Sequence, residues 1–192
     1  MKARYATRCA VCPRRIEPGE EILAAQGSGK WRHASCTESA PPASAAANEV
    51  RVGATEVYTD GACRGNPGPG GWAWAVQDGP EGSGHDAATT NQRMEVRAAY
   101  EAIRALDGPL VVVSDSTYVV NCFKNSWWTG WRARGWVNSA KKPVANRDLW
   151  EPLIDLVEAR DEVTFRWVKG HSGDPMNDRV DLLAVQASHL SG

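Results

Sequence analysis

Leu110-Val111-Val112-Val113 is a run with no polar residue on either side of the chain. As a strand it must lie in the middle of a sheet, because neither of its faces suits water. The neighbouring segments supply such a sheet. Glu56–Cys63 and Gly71–Val76 read as strands joined by a glycine–proline loop, and a weaker strand is expected near His85–Ala88 after a turn at 78–84. Across Gln92–Leu106, Val96, Ala99, Ile103 and Leu106 recur at helical spacing, and Gly108-Pro109 stops the helix. Asp115-Ser116 closes the apolar strand and a short helix follows. Asp148–Ala159 is expected as a helix with Leu149, Leu153, Leu156 and Val157 inward, Val163–Val168 as the last strand, and Asp174–Leu190 as a closing helix. Three strands followed by helix–strand alternation predict an α/β fold: a mixed sheet with helices packed on its faces.

The first 36 residues follow different rules. They carry seven Lys/Arg against three Asp/Glu, whereas the remainder carries 15 against 20, so a head of +4 precedes a body of −5. Such a head is a handle for an anion such as nucleic acid. It is too short for a hydrophobic core of its own. It does hold Cys9-Ala10-Val11-Cys12 and His33-Ala34-Ser35-Cys36, two close pairs separated by about a hairpin's length. That spacing suits a tetrahedral Zn²⁺ site made of Cys9, Cys12, His33 and Cys36. The segment resembles the short Cys-x-x-Cys…His-x-x-Cys zinc modules of the PARP-like and treble-clef kind. Lys30, Trp31 and Arg32 are candidate contacts to nucleic acid, and a purely structural zinc site is the alternative. Residues 37–53 are rich in Ala, Ser and Pro without apolar periodicity, and read as a flexible linker. The expected division is therefore 1–36 zinc module, 37–53 linker and 54–190 catalytic domain. The five cysteines are an odd number and fit reduced or metal-bound thiols in the cytoplasm better than a disulfide framework. No long apolar run marks a membrane span.

Acids stand at telling places in the expected fold. Asp60 ends the first strand before the loop, and Asp115 ends the apolar strand. If those strands are neighbours, both carboxylates emerge at one edge of the sheet. Glu95 falls in the first turn of its helix, where the helix dipole favours an acid. Asp174, Asp178 and Asp181 share one face of the last helix, and spacing alone does not choose among them. Each acid taken singly has an ordinary role as a cap or a solvated side chain. Clustered, they repel one another and need a cation between them. Hard oxygen ligands suit Mg²⁺ or Mn²⁺, and two such ions about 3.5–4 Å apart suit in-line phosphodiester hydrolysis. His171, in the loop before the acidic helix, could shuttle protons. Residues 126–147 add five basic residues, no acid and four of the nine tryptophans. Arg132, Arg134, Lys141 and Lys142 offer phosphate contacts without sequence choice, and at least one tryptophan is expected in the core.

Tyr58-Thr59-Asp60-Gly61, Gly65-Asn66-Pro67-Gly68-Pro69-Gly70-Gly71, Thr90-Asn91-Gln92-Arg93-Met94-Glu95, Ser114-Asp115-Ser116, Val168–Gly173 and Asn177-Asp178-Arg179-Val180-Asp181 together resemble the bacterial type 1 ribonuclease H family, in order, over about residues 56–187. The resemblance implies a mixed five-stranded sheet flanked by helices. It implies cleavage of the RNA strand of RNA–DNA hybrids with two Mg²⁺ (or Mn²⁺) ions, leaving 5′-phosphate and 3′-hydroxyl ends. It assigns metal binding to Asp60, Glu95, Asp115 and Asp181, and an auxiliary catalytic role to His171. Asn66, Asn91 and Gln92 match contacts to the RNA strand, where amides both donate and accept and the 2′-hydroxyl marks RNA. Thr90 and Asn146 match a pocket for a DNA phosphate, although Ala88 stands where some members have Arg. Trp127 (or its neighbour Trp128), Trp131 and Ser139 match a DNA-strand channel. Cys63 and Cys122 are expected to be packed thiols. The partner implied is an RNA–DNA hybrid, with no membrane and a monomeric enzyme. Alternative readings are a non-catalytic hybrid-binding protein and a DNA nuclease or resolvase of the same superfamily.

Overall fold

The computed structural model describes residues 2–3, 7–9, 15–24, 31–36, 53–160 and 162–190. The chain divides into two compact units, Met1–Glu49 and Val50–Gly192. Apart from Gly53, the expected linker lies outside the described residues, and so does Cys12.

The first unit holds two antiparallel strand pairs: β1 (Thr7–Arg8) with β2 (Arg15–Ile16), and β3 (Ile22–Ala24) with β4 (Trp31–His33). Its apolar interior, among the described residues, is Ala3, Ile16 and Ile22, with Cys9 packed against them. A segment of 36 residues is too short to hold a fold by an apolar core alone.

The second unit is built on a five-stranded sheet in the order β7-β6-β5-β8-β9. The strands β5 (Thr55–Cys63), β6 (Gly68–Val76) and β7 (Glu81–Thr89) form an antiparallel meander. Next, β8 (Leu110–Ser114) pairs parallel with β5, and β9 (Val163–Trp167) pairs parallel with β8. Every residue of β8 is buried, as its apolar run demands. Alternation along the strands divides the core in two. Val57, Trp74 and Val112 face one layer with α1 (Asn91–Ala105), α2 (Thr117–Lys124), α3 (Trp127–Ala133) and α4 (Arg147–Ala159). Tyr58, Ala75, Val111 and Val113 face the other, against Met176 and Val180 of α5 (Pro175–His189). Among the described residues, no helix is long and apolar enough to cross a membrane.

The structure extends or corrects several expectations. The third strand runs the full length of β6 rather than four residues. Its glycines explain both the weak signal and the pairing: a Cβ at Gly82 or Gly84 would stand 2.7 Å or 2.5 Å from the rings of Trp74 and Trp72, so these indoles lie over bare backbone. The tryptophan-rich stretch contains a helix, α3, that its sequence did not announce. Asp60 does not end its strand. It pairs with Ala73 inside β5, which continues to Cys63 along β6 after its pairing with β8 has stopped at Tyr58.

Candidate active site

The register of the two central strands places the first pair of acids. Tyr58 is level with Val113. Two residues further on, that register sets Asp60 level with Asp115, both on the α5 face by the alternation of the strands. There β8 has ended, so the edge beside Asp60 is open to a turn rather than a partner strand. Gly61 faces the opposite layer, and its lack of a side chain admits α1. A Cβ at Gly61 would lie 2.2 Å from the Glu95 nitrogen and 2.4 Å from the Met94 carbonyl carbon. The second turn of α1 therefore rests on bare strand backbone and delivers Glu95 to the same edge.

Glu95 is the fifth residue of α1, and no acid lies in that helix's first turn. The expectation based on the helix dipole is corrected accordingly. What holds the carboxylate is a pair of donors: Asn91 Nδ2 gives a 2.9 Å hydrogen bond to Oε1, and the Ser116 hydroxyl donates to Oε2. Ser116 also caps α2 by accepting from the Val119 amide at 3.4 Å. Asp115 is held on three sides. Asn177 Nδ2 lies 3.3 Å from Oδ2, and Trp167 Nε1 donates to the backbone carbonyl at 3.0 Å. A Cβ at Gly170 would come within 2.4 Å of the same Oδ2, so the bare glycine lets the β9–α5 loop pass without displacing the Asp115 carboxylate. His171 is the next residue of that loop, exposed, with a left-handed backbone at φ 50°.

The last helix separates its three acids. Asp174 caps α5, accepting from the Met176 and Asn177 amides at 3.0 and 3.2 Å. Asp178 is exposed. Asp181 is half-buried, and its charge acts on Asp60. Asp60 is only 8% exposed. Burial, then the charge of Asp115, and more weakly Asp181 and Glu95, push its carboxyl from 3.8 up to about 8. Burial also raises Glu95, with Asp115 adding to it and the Ser116 and Asn91 hydrogen bonds opposing. Four carboxylates from four elements thus share one edge of the sheet, and their mutual repulsion is what a cation bound there would relieve.

The remaining candidates fall into two groups. A groove of about 570 Å³ is lined by Gln92, Trp127, Trp131, Arg134 and Ser139, together with Tyr118, Asn138, Val144 and Ala145. Trp127 is 38% exposed there, while Trp131 is 8% exposed and packs edge-on against Trp150 in the core. Trp131 presents no more than an edge to the groove, and Trp128 is not in its lining. Lys141 and Lys142 are exposed on the turn after Ser139. Arg132 is engaged elsewhere: it pairs with Asp155 and Glu158 of α4 and lies over the Trp128 ring. The second group surrounds the start of α1. The Thr90 hydroxyl accepts from the Arg93 amide at 3.4 Å, and Asn146 Oδ1 accepts from Arg93 Nη1 at 3.4 Å. The Arg93 guanidinium in turn grips Asp148 at 2.7 and 2.9 Å. Asn66 is exposed in the β5–β6 loop, which Arg64 ties to α5 through the Ser188 carbonyl at 3.0 Å. Sequence reasoning gave no role to Ser116, Asn177, Gly61 or Gly170. Each does stand in one of the motifs that carry the family resemblance, and that was the signal available for them. The Cys122 thiol, buried and pushed up to about 12, is an inert packing group.

A buried carboxylate cluster beside a groove of tryptophan, amide, hydroxyl and basic groups is the equipment of a nucleic-acid-processing enzyme. The chain belongs to the ribonuclease H family: the family described as RNase H matches residues 53–189. It is 51% identical over 140 residues to the Ribonuclease H of Erythrobacter litoralis (strain HTCC2594), covering 70% of this chain and 96% of that one. It is 45% identical over 146 residues to the Ribonuclease H of Albidiferax ferrireducens (strain ATCC BAA-621 / DSM 15236 / T118), with 73% and 97% covered. Among solved structures it resembles LC9-RNase H1, a type 1 RNase H with the type 2 active-site motif (TM-score 0.60, 31% identity, 72% and 73% covered). It also resembles the foamy viral protease-reverse transcriptase in complex with dsDNA (TM-score 0.62, 25% identity, 71% and 95% covered).

Proposed function

We propose that Asp60, Glu95, Asp115 and Asp181 hold the divalent cations with which this ribonuclease H hydrolyses the RNA strand of RNA–DNA hybrids. The observation that carries the assignment is Asp60, buried among three other carboxylates and pushed up to about 8. The chain is an endoribonuclease of a family that uses divalent metal ions such as Mg²⁺. The donor set fits such ions, being all oxygen and rich in charge. We assign two Mg²⁺ or Mn²⁺ ions to the site, which when bound supply a hydroxide-like nucleophile and neutralise charge on the phosphate.

The chain's own residues do the remaining work. Ser116 and Asn91 fix the Glu95 carboxylate, and Asn177 orients Asp115. His171 assists the movement of a proton at the leaving 3′ oxygen, and the products end in 5′-phosphate and 3′-hydroxyl. Asn66, Asn91 and Gln92 offer amides to the RNA 2′-hydroxyls. The DNA strand runs over Trp127, the edge of Trp131, Ser139 and Arg134, with Lys141 and Lys142 adding phosphate attraction. Thr90 and Asn146 receive a DNA phosphate at the start of α1. Arg132 contributes to this surface once hybrid phosphates compete with Asp155 and Glu158. One chain provides all four carboxylates, so a monomer suffices. We place the enzyme in the cytoplasm, where its odd number of cysteines fits reduced or metal-bound thiols.

The test is cleavage of labelled RNA–DNA hybrid, double-stranded RNA and double-stranded DNA, with and without Mg²⁺. Hybrid alone is expected to be cut, only with the metal, and not by Asp115→Asn. Equal activity in that variant, or cutting of duplex DNA, would overturn the assignment.

Outside this site we propose the division 1–36, 37–53 and 54–190, with a Zn²⁺ held by Cys9, Cys12, His33 and Cys36 in the first segment. The convergence of Cys9, His33 and Cys36 in a segment so short supports a metal staple. Tethered to the catalytic domain, the basic head raises affinity for the hybrid. A chain lacking residues 1–53 is expected to keep metal-dependent cleavage and to bind hybrid more weakly at moderate salt. Unchanged affinity would refute the role of the head.

A further inference from the structure

The N-terminal unit brings together a second set of metal-ligating groups, whose chemistry is opposite to that of the carboxylates. Cys9, His33 and Cys36 bring three ligand atoms within 4.8 Å of one another. They arrive from three places: the end of β1, the last residue of β4, and the turn after it. Cys9 Sγ lies 3.9 Å from Cys36 Sγ, and His33 Nδ1 lies 3.7 Å from Cys36 Sγ. A disulfide is excluded, since its sulfurs would stand about 2.05 Å apart. A tetrahedral zinc ion has Zn–S bonds of about 2.3 Å and Zn–N bonds of about 2.0–2.1 Å. Its polyhedron edges are then roughly 3.8 Å between sulfurs and roughly 3.6 Å from sulfur to nitrogen. Both separations in the structure match these edges. Sulfur and imidazole donors also select zinc over the hard cations of the carboxylate site.

The geometry further decides which ring nitrogen binds. Nδ1 faces the Cys36 sulfur, while Nε2 points the other way, 3.4 Å from Glu20 Oε2. The Glu20 carboxylate is itself held, because Oε2 accepts the Glu17 amide at 2.7 Å. The Glu20 backbone is pinned too, its carbonyl accepting from the Ala3 amide at 2.9 Å. A metal-bound imidazole that donates its other N–H to a carboxylate is fixed in tautomer and ring orientation and becomes a stronger ligand.

Resting on the zinc reading above, we propose that His33 binds the ion through Nδ1 and that Glu20 is the positioning residue, accepting Nε2–H and tuning zinc affinity. This role belongs to the bend between β2 and β3. The ribonuclease H sequence pattern, which begins at residue 53, has no part in it.

The test uses the full chain. Zinc content and competition against a chromophoric chelator give stoichiometry and affinity, and a Co²⁺-loaded sample reports thiolate coordination through its charge-transfer absorption. One zinc per chain is expected, lost in Cys36→Ser. Glu20→Ala should retain a folded catalytic domain and weaken zinc binding roughly 10- to 100-fold, with Glu20→Gln, which keeps an acceptor oxygen, restoring part of it. Nitrogen-15 correlation spectra of the histidines should show His33 protonated at Nε2 and coordinated at Nδ1. A chain that takes up no zinc would refute the metal site itself. A chain that binds zinc normally in Glu20→Ala, or binds it through Nε2, would refute the positioning role while leaving the metal site standing.

Discussion

Asp60→Asn is expected to lose hybrid cleavage by at least ~10³-fold, about 4 kcal/mol of transition-state stabilisation, while making the metal-free protein more stable. The two effects share one cause. Asp60 is buried at the edge where Asp115, Asp181 and Glu95 converge, and its carboxyl is held at about 8 instead of 3.8. The folded protein keeps a proton there that the unfolded chain releases above about pH 4. The stability from this group is therefore complete below that pH and is lost as pH rises through 8. Removing the acid removes the loss. At pH 8.5 without metal, the variant should exceed the wild type by roughly 2–4 kcal/mol, a rise in Tm of about 5–10 °C, and at pH 4 the two should coincide. Added Mg²⁺ should restore the wild type and leave the variant unmoved. Thermal melts across pH, with and without metal, check the sign. A variant less stable than wild type at pH 8.5 would contradict the electrostatic account.

Gly61→Ala should damage the fold and the site together. The new methyl would meet the Glu95 nitrogen at 2.2 Å and the Met94 carbonyl carbon at 2.4 Å. Ordinary contact begins more than an ångström further out. These atoms belong to helix backbone and to the core residue Met94, which is fully buried, so no flexible tip can yield. The helix α1 must lift from β5, carrying Glu95 away from Asp60. The expected cost is about 2–4 kcal/mol in stability, measured by chemical denaturation. A displacement of ~1 Å at a catalytic group also costs on the order of 10²-fold in rate. Activity should therefore fall even under conditions where the variant is fully folded. Wild-type cleavage by a folded Gly61→Ala protein would show that the tight approach of α1 does not set the site.

The sequence revealed the skeleton of this arrangement because the skeleton rests on periodicity. The apolar run at 110–113 demanded a central position, and strand alternation then put Asp60 and Asp115 on one face once their strands were neighbours. Other features depend on tertiary contacts that no local pattern announces. The strand at 81–89 owes its length to indole rings lying over Gly82 and Gly84, and taken alone its residues read as a turn with a weak end. Glu95 is poised by Ser116 and Asn91 rather than by the helix dipole, because the helix begins one residue earlier than its apolar spacing implied. Identical spacing left Asp174, Asp178 and Asp181 undecided, and the fold separates them into a cap, an exposed acid and a neighbour of Asp60. Nor does the sequence show that Arg132, a candidate phosphate contact, is already paired with Asp155 and Glu158 of α4.

The most direct test of the carboxylate site is anomalous diffraction from crystals of the full chain soaked in Mn²⁺. Density is expected bounded by Asp60, Glu95, Asp115 and Asp181, and absent from crystals of Asp60→Asn. Manganese bound elsewhere, or bound equally well in that variant, would contradict the site.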